Sequence, residues 1–580
     1  MQYAEISTRK LVVVLLLVAI IASSVYFTAI GLKNKLGAPS ISAVGTGFEG
    51  TLAAWWYRVE YNAENIPGGI LSGNSFLAAI GIGGTPKNGA NVAAASGAAQ
   101  AIPVLLYHGI LSKATGPEDV TVDSFKDQMF TLKADGWQTV TLAQFQSAMA
   151  GDIKLPPKSF LLTFDDGRKE SYYPVDPVLQ ALGYHAVMFV IAGHALNSVG
   201  DYAGSYYLST DELLMMKATG RWDIESHSYI GHDLYPIDAA GDRQPFYANK
   251  LWLPAGMPGE TSDEFAARVQ DDLGNFFLHH RTWDLTGGRL ETDGEFEARV
   301  SQDLLTAKNL LESKLGVTVT AFAYPFNDFA QSSQSNFPQG KTTLFKVANQ
   351  VYPLSFYQWS ISQSGYSENY PSIDTQLMRR IELTSDTTAG DLIQTLDGGE
   401  PKTLPFQSAD SNTAGWVRTW GMAFNEPDGT LNLKASTSTT GALALLDGTE
   451  LWKNYEFDAS INWTNAQNIS IIGYFNKNLD AQAYLECSFS NGAVDLRQNT
   501  SDGVKILTRA KDASIISGAN QKMGINFVGG YVECLWNGGI VATAPLPANA
   551  PRSGGPSIEA WSPTAGQTSI TVKSVSVKSN

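Results

Sequence analysis

The chemistry-bearing residues of this 580-residue chain gather in three short runs. Thr163-Phe164-Asp165-Asp166-Gly167 sets two carboxylates side by side, close enough for one to ligate a cation while the other stays free as a base. His227-Ser228-Tyr229-Ile230-Gly231-His232 offers two imidazoles, and Leu106-Tyr107-His108-Gly109 adds a third. Asp166 with His227 and His232 makes a two-histidine, one-carboxylate set, which holds a divalent cation and leaves coordination positions open for water and substrate. The chain has only 2 cysteines, so a metal here must be held by imidazole and carboxylate. Taken singly, each feature has a plainer reading: adjacent aspartates can cap a helix that starts after Gly167, and lone histidines more often satisfy local structure. Their common setting is what lifts them above it.

That setting is a series of short apolar runs alternating with amphipathic stretches. Residues 102–107, 159–164, 185–191, 222–226 and 319–324 read as buried strands, whereas 121–136 and 296–316 carry apolar residues at helical spacing. Strands alternating with helices over about 300 residues predict an α/β fold, a parallel (β/α) barrel whose chemistry collects where strands end. Each of the three runs closes one of the strands. Two stretches, 260–273 and 291–304, share a pattern that predicts a duplicated amphipathic helix within an insert spanning 233–318.

The order of these motifs, with Phe322-Ala323-Tyr324-Pro325-Phe326-Asn327 after them, resembles the polysaccharide deacetylases of carbohydrate esterase family 4 over roughly residues 100–400. The five-residue step between the histidines and the early Tyr107-His108 pair are similar to the branch containing poly-N-acetylglucosamine deacetylases. The resemblance implies a deformed (β/α) barrel that removes acetyl groups from an N-acetylated polysaccharide. It implies a cation on Asp166, His227 and His232, zinc first on ligand type, with nickel, cobalt and manganese suited to the same set. Asp165 is then the general base and His108 the general acid. The Phe326 backbone N–H and Tyr324 serve the oxyanion and the substrate. The family's Arg-x-Pro-Tyr motif is replaced here by Ala323-Tyr324-Pro325-Phe326, so its arginine is missing. Acetyl esters or peptidoglycan as substrate, and an idle glycan-binding protein on the same fold, are the competing readings.

The remaining chain divides into a leading segment (1–35), a Gly/Ala/Ser-rich stalk (36–100) and a C-terminal region (401–580). Residues 11–32 are uncharged and apolar, long enough at 1.5 Å per residue to span a bilayer core of about 30 Å. Two readings follow: an uncleaved membrane anchor, favoured by the length, or a cleaved signal peptide. Either sends the bulk of the chain outside the cytoplasm. Within the stalk, residues 48–61 are dense in aromatics and suggest a pilin-like or membrane-proximal patch. After 401, period-two stretches separated by turn residues predict an all-β sandwich of jelly-roll, concanavalin-like texture, glycan-binding or architectural. Cys487 and Cys534 both fall in phase with core positions, to be bonded if their strands are neighbours or else free and buried. With 40 Lys plus Arg against 56 Asp plus Glu, a net charge of -16 argues against nucleic acid as a partner.

Overall fold

The computed structural model describes residues 48–64, 98–196, 206–235 and most of 275–580. The apolar segment 11–32 and the stretch 260–273, one half of the expected helix duplication, lie outside the described residues. Among the described residues no helix is long and apolar enough to cross a membrane.

Seven parallel strands close on themselves in chain order: β1 (Val104–Tyr107), β2 (Ser159–Phe164), β3 (Ala186–Val190), β4 (Trp222–Ser226), β5 (Ala321–Ala323), β6 (Leu354–Ser360) and β7 (Met378–Glu382). The ring is complete because β1 pairs with β2 on one side (Leu105↔Leu162) and with β7 on the other (Leu105↔Ile381). Strands covered on both faces must be apolar almost throughout, and Ser159–Phe164 is buried at every position. Alternation then sorts side chains between two clusters. Phe160, Leu162, Phe164, Met188, Val190 and Phe322 pack with the surrounding helices, whereas Leu161, Val187, Phe189, Ala321, Ala323 and Phe356 share the interior cluster with Phe145 and Met149.

The helix Asp293–Leu315 shows how the sequence fixes the outer layer. Thr292 and Glu295 form a capping box at its start, and Gly316 ends it in the left-handed conformation that glycine adopts without strain. Its stripe of Phe296, Val300, Leu304, Ala307 and Leu311 is buried in the main barrel cluster. This helix, which falls within the expected insert 233–318, is therefore part of the barrel's outer wall. The aromatic patch at 48–61 also departs from the stalk expectation. It forms the helix Phe48–Glu64, which lies against the helix Asp176–Leu182, with the Arg58 guanidinium donating to the carbonyls of Ala181 at 3.3 Å and Gln180 at 3.2 Å. Tyr61 meets Phe130 edge-on at 5.4 Å and Tyr57 packs on the same barrel cluster, while Trp56 remains exposed.

The C-terminal region is all-β, as its alternation predicts. One antiparallel sheet runs through strands 422–425, 431–434, 569–579, 455–465, 518–528, 531–536 and 539–545. The other runs through 416–420, 441–446, 555–561, 468–478, 481–490, 493–500 and 503–511. Cys487 and Cys534 are bonded across 47 residues, and they stand in different sheets. The bond thus joins the two layers through the core, a geometry that does not require neighbouring strands. Closing a loop of that length should stabilise the fold by about 4 kcal/mol through the unfolded chain's lost entropy. The double variant Cys487→Ala/Cys534→Ala is expected to unfold at a markedly lower denaturant midpoint than the parent, read by tryptophan fluorescence; coincident unfolding curves would contradict this.

Candidate metal centre and active site

The rim at the C-terminal ends of the strands collects side chains from five of the seven strands. At the end of β2, Asp165 is fully buried and its backbone N–H donates to the Tyr107 carbonyl at 3.2 Å. Asp166 and Gly167 then both take φ of 71°, a left-handed pair that turns the chain sharply. Glycine is favoured at 167 by its φ and because a Cβ there would stand 3.2 Å from Val190 Cγ1, a tight contact. Neither aspartate caps a helix: the short turn that follows begins after Arg168. The turn instead aims Asp166 at the histidines, with Oδ1 at 3.5 Å from His227 Nε2 and 3.4 Å from His232 Nε2. Asp166, His227 and His232 each offer a ligand atom, and these atoms all lie within 4.8 Å of one another.

The donor set suits a divalent cation. His227 Nδ1 donates to the Ala323 carbonyl at 2.8 Å, which fixes the tautomer and leaves the Nε2 lone pair facing Asp166. Burial, followed by the neighbouring His227, pushes the His232 imidazole down to about 3, so it stays neutral and able to ligate. For Asp166, burial works against ionisation, but the two imidazoles beside it, His227 before His232, outweigh it and hold the carboxyl far below the usual range. The loop between the histidines is itself anchored from the outer wall. Asp303, on the helix Asp293–Leu315, accepts from the backbone N–H groups of Tyr229 and Ile230 at 3.0 Å each, and Ser228 Oγ accepts from Gly231 N at 2.8 Å.

Asp165 is kept out of this set. Arg380, fully buried on β7, donates to both its oxygens, Nη1 to Oδ1 at 2.6 Å and Nη2 to Oδ2 at 2.8 Å. Burial alone would raise the Asp165 carboxyl, but the Arg380 charge and hydrogen bonds, with His227, bring it below its ordinary value. Its Oδ2 remains 3.7 Å from His227 Nε2, beside the triad. His108 follows β1, nearly buried, with Nδ1 3.9 Å from Glu382 Oε1 and Nε2 3.3 Å from the Gln358 amide nitrogen. Beyond β5, Phe326 adopts φ 56°, ψ 21° and its ring stands 4.6 Å from that of His232. The ring of Tyr324 packs in the aromatic cluster. It is fully buried among Phe322, Phe329 and Phe345, the place of a core aromatic.

Residues 152–337 match the family model described as polysaccharide deacetylase. The chain carries a polysaccharide deacetylase domain. Over 187 residues it is 27% identical to the poly-beta-1,6-N-acetyl-D-glucosamine N-deacetylase of Escherichia coli (strain K12), which is 30% of this chain and 28% of the relative. Over 126 residues it is 32% identical to the enzyme of the same name from Staphylococcus epidermidis, 22% of this chain and 42% of the relative. The chain thus spans less than half the length of these curated relatives. A solved de-N-acetylase from Aggregatibacter actinomycetemcomitans aligns over 50% of this chain and 98% of its own, with 18% identity and a TM-score of 0.38. His108, just past β1, and Arg380 and Glu382, on β7, lie outside the matched segment, where those two strands close the barrel.

Four residues of the rim are absent from the sequence reading: Arg380, Glu382, Gln358 and Asp303. The first two had a signal. Met378-Arg379-Arg380-Ile381-Glu382 sets charges between apolar positions in a strand, and charges buried on a strand must be paired. For Asp303 the helical stripe gives only that it faces inward; which loop it meets depends on the fold. Asp303→Ala removes the acceptor for two loop amides and should weaken metal affinity about 10-fold or more, as loss of outer-shell partners does. Chelator competition measures this, and an unchanged affinity would refute the anchoring role.

Proposed function

We propose that the chain is a metal-dependent N-deacetylase of an N-acetylated, poly-N-acetylglucosamine-like polysaccharide. The convergence of Asp166, His227 and His232 beside a carboxylate that Arg380 holds in reserve carries this reading. The names of the similar proteins support the substrate class. Zinc is the first choice on ligand type, with nickel, cobalt or manganese compatible. A divalent cation held by these three residues would supply Lewis acidity to an acetamide carbonyl and to an attacking water.

The chain's own groups do the remaining work. Asp165, ionised at any working pH because of Arg380, takes the proton of the attacking water as general base. The Phe326 backbone N–H donates to the acetamide oxygen as it gains negative charge. His108, backed by Glu382 at 3.9 Å, passes a proton to the departing nitrogen, which leaves poorly from carbon until protonated. Burial pushes the Glu382 carboxyl up, opposed in part by the neighbouring His108 and Arg380. One water and one acetamide give acetate and a free amine. The segment 11–32 completes the proposal as a membrane anchor, or a cleaved export signal, that sets the barrel outside the cytoplasm where such polymers lie.

Acetate release from poly-N-acetylglucosamine by the full chain is expected, lost on chelation and restored by zinc. Asp165→Asn should lower kcat by about 10²- to 10⁴-fold while metal content stays at parent level, because Asp166, His227 and His232 are untouched. His108→Ala should slow amides far more than activated acetyl esters, whose leaving groups need no proton. Normal turnover in Asp165→Asn, or equal slowing of both substrate types in His108→Ala, would overturn the roles assigned.

A further inference from the structure

We infer that Glu450, on a turn of the sandwich, is a positioning residue for the barrel strand that carries Arg380 and Glu382. Along β7 the side chains alternate: Arg380 and Glu382 turn to Asp165 and His108, and Arg379, just ahead of Arg380, turns the other way. There the Arg379 guanidinium meets Glu450 in a two-point pair, Nη2 to Oε1 at 2.7 Å and Nη1 to Oε2 at 2.9 Å. The side chains are only 13% and 15% exposed, so the pair is mostly shielded from water and either charge would be left poorly solvated without the other. Arg379 Nη1 also donates to the Glu368 carbonyl at 2.5 Å.

The turn that holds Glu450 grips the barrel at further points. Asp447 Oδ2 accepts from Ser367 Oγ at 2.7 Å, and the Gly448 carbonyl accepts from Lys402 N at 2.8 Å. Gly448 has φ of 71°, and a Cβ there would come within 2.2 Å of the Glu400 carbonyl oxygen, so the turn lies pressed on the chain leaving the barrel's last helix. From Ser367 the connection continues through Asn369, whose Oδ1 accepts from Arg379 N at 2.8 Å and whose Nδ2 donates to the Arg379 carbonyl at 2.9 Å. The backbone of Asn369 pairs with Ile102, just ahead of the strand that ends at His108. One sandwich turn therefore holds β7 by two routes and reaches the approach to β1 by a third. Adjacent residues on a strand move together, so a shift of Arg379 becomes a shift of Arg380 and of the carboxylate it orients. The sandwich is in this sense part of the catalytic architecture.

The kinetic test rests on the deacetylase reading, and a second measurement does not. In the full chain, Glu450→Gln should lower kcat about 10-fold with KM within about twofold, the pattern of a misplaced catalytic group with substrate binding retained. Glu450→Asp should recover part of the loss, and Glu450→Gln combined with Arg379→Gln should be no worse than the worse single variant. Lys578→Gln, which breaks an ion pair between two strands of the sandwich, Lys578 Nζ to Glu456 Oε1 at 2.8 Å, should leave kcat unchanged. Hydrogen exchange of the 378–382 amides should quicken in Glu450→Gln while that of 186–190 stays at parent level. Parent-like kcat and parent-like protection of 378–382 in Glu450→Gln would overturn the inference. A parent chain that releases no acetate would defeat the deacetylase reading instead, leaving the exchange result to decide the positioning role. Should Glu450→Gln fail to fold, Glu450→Asp carries both readouts, with a smaller change of the same sign required.

Discussion

Two adjacent carboxylates beside a site that could hold one cation present a problem of selection: both would be drawn to an ion, yet only one can ligate it if the other is to act as a base. The bidentate Arg380–Asp165 pair resolves it, because a guanidinium that engages both oxygens of Asp165 leaves Asp166 as the carboxylate free to turn toward the histidines. The pair is wholly buried, and its desolvation is offset by two short charge-assisted bonds and by the aromatic faces of Phe189 and Phe356 near the guanidinium. Left-handed backbone at Asp166 and Gly167 makes the divergence of the two side chains geometrically attainable.

The rest of the barrel can be understood as support for that arrangement. Strands β1, β2, β4 and β7 deliver His108, the aspartates, His227 and Arg380 to one rim, and β6 supplies Gln358 beside His108. The outer layer contributes as well: Asp303 reaches from a helix to hold the loop on which His232 depends. Burial raises the Asp303 carboxyl to about 6, yet two backbone donors favour its ionised form, so the loop is secured by a group whose charge is local and paired. Positioning thus passes from sandwich turn to β7, from β7 to Asp165, and from the outer wall to the histidine loop.

Much of this was legible in the sequence because it is local. A pentapeptide that ends a strand with two aspartates and a glycine states its own turn, and apolar runs alternating with amphipathic helices state a parallel barrel. What the sequence could not show is long-range pairing. Arg380 lies 215 positions from Asp165, and Asp303 lies 74 from the amide it accepts from, so neither is visible until the strands are in register. The missing Arg-x-Pro-Tyr arginine drew attention to residues 323–326, whereas an arginine at the base is supplied from a different strand. Tyr324 was grouped with the oxyanion by its neighbours in the motif, but strand alternation turns its ring into the aromatic core. The aromatic patch at 48–61 carries no such signal, because a surface that packs on the barrel and one that meets a membrane have the same composition.

The central claim is a division of labour between two neighbouring aspartates, and the position of the ion decides it. Anomalous scattering from crystals grown with zinc should show a single peak about 2.0–2.2 Å from one Asp166 oxygen, His227 Nε2 and His232 Nε2, with Asp165 still paired to Arg380 and outside the coordination shell. A peak coordinated by Asp165, or zinc bound without either histidine, would contradict the account.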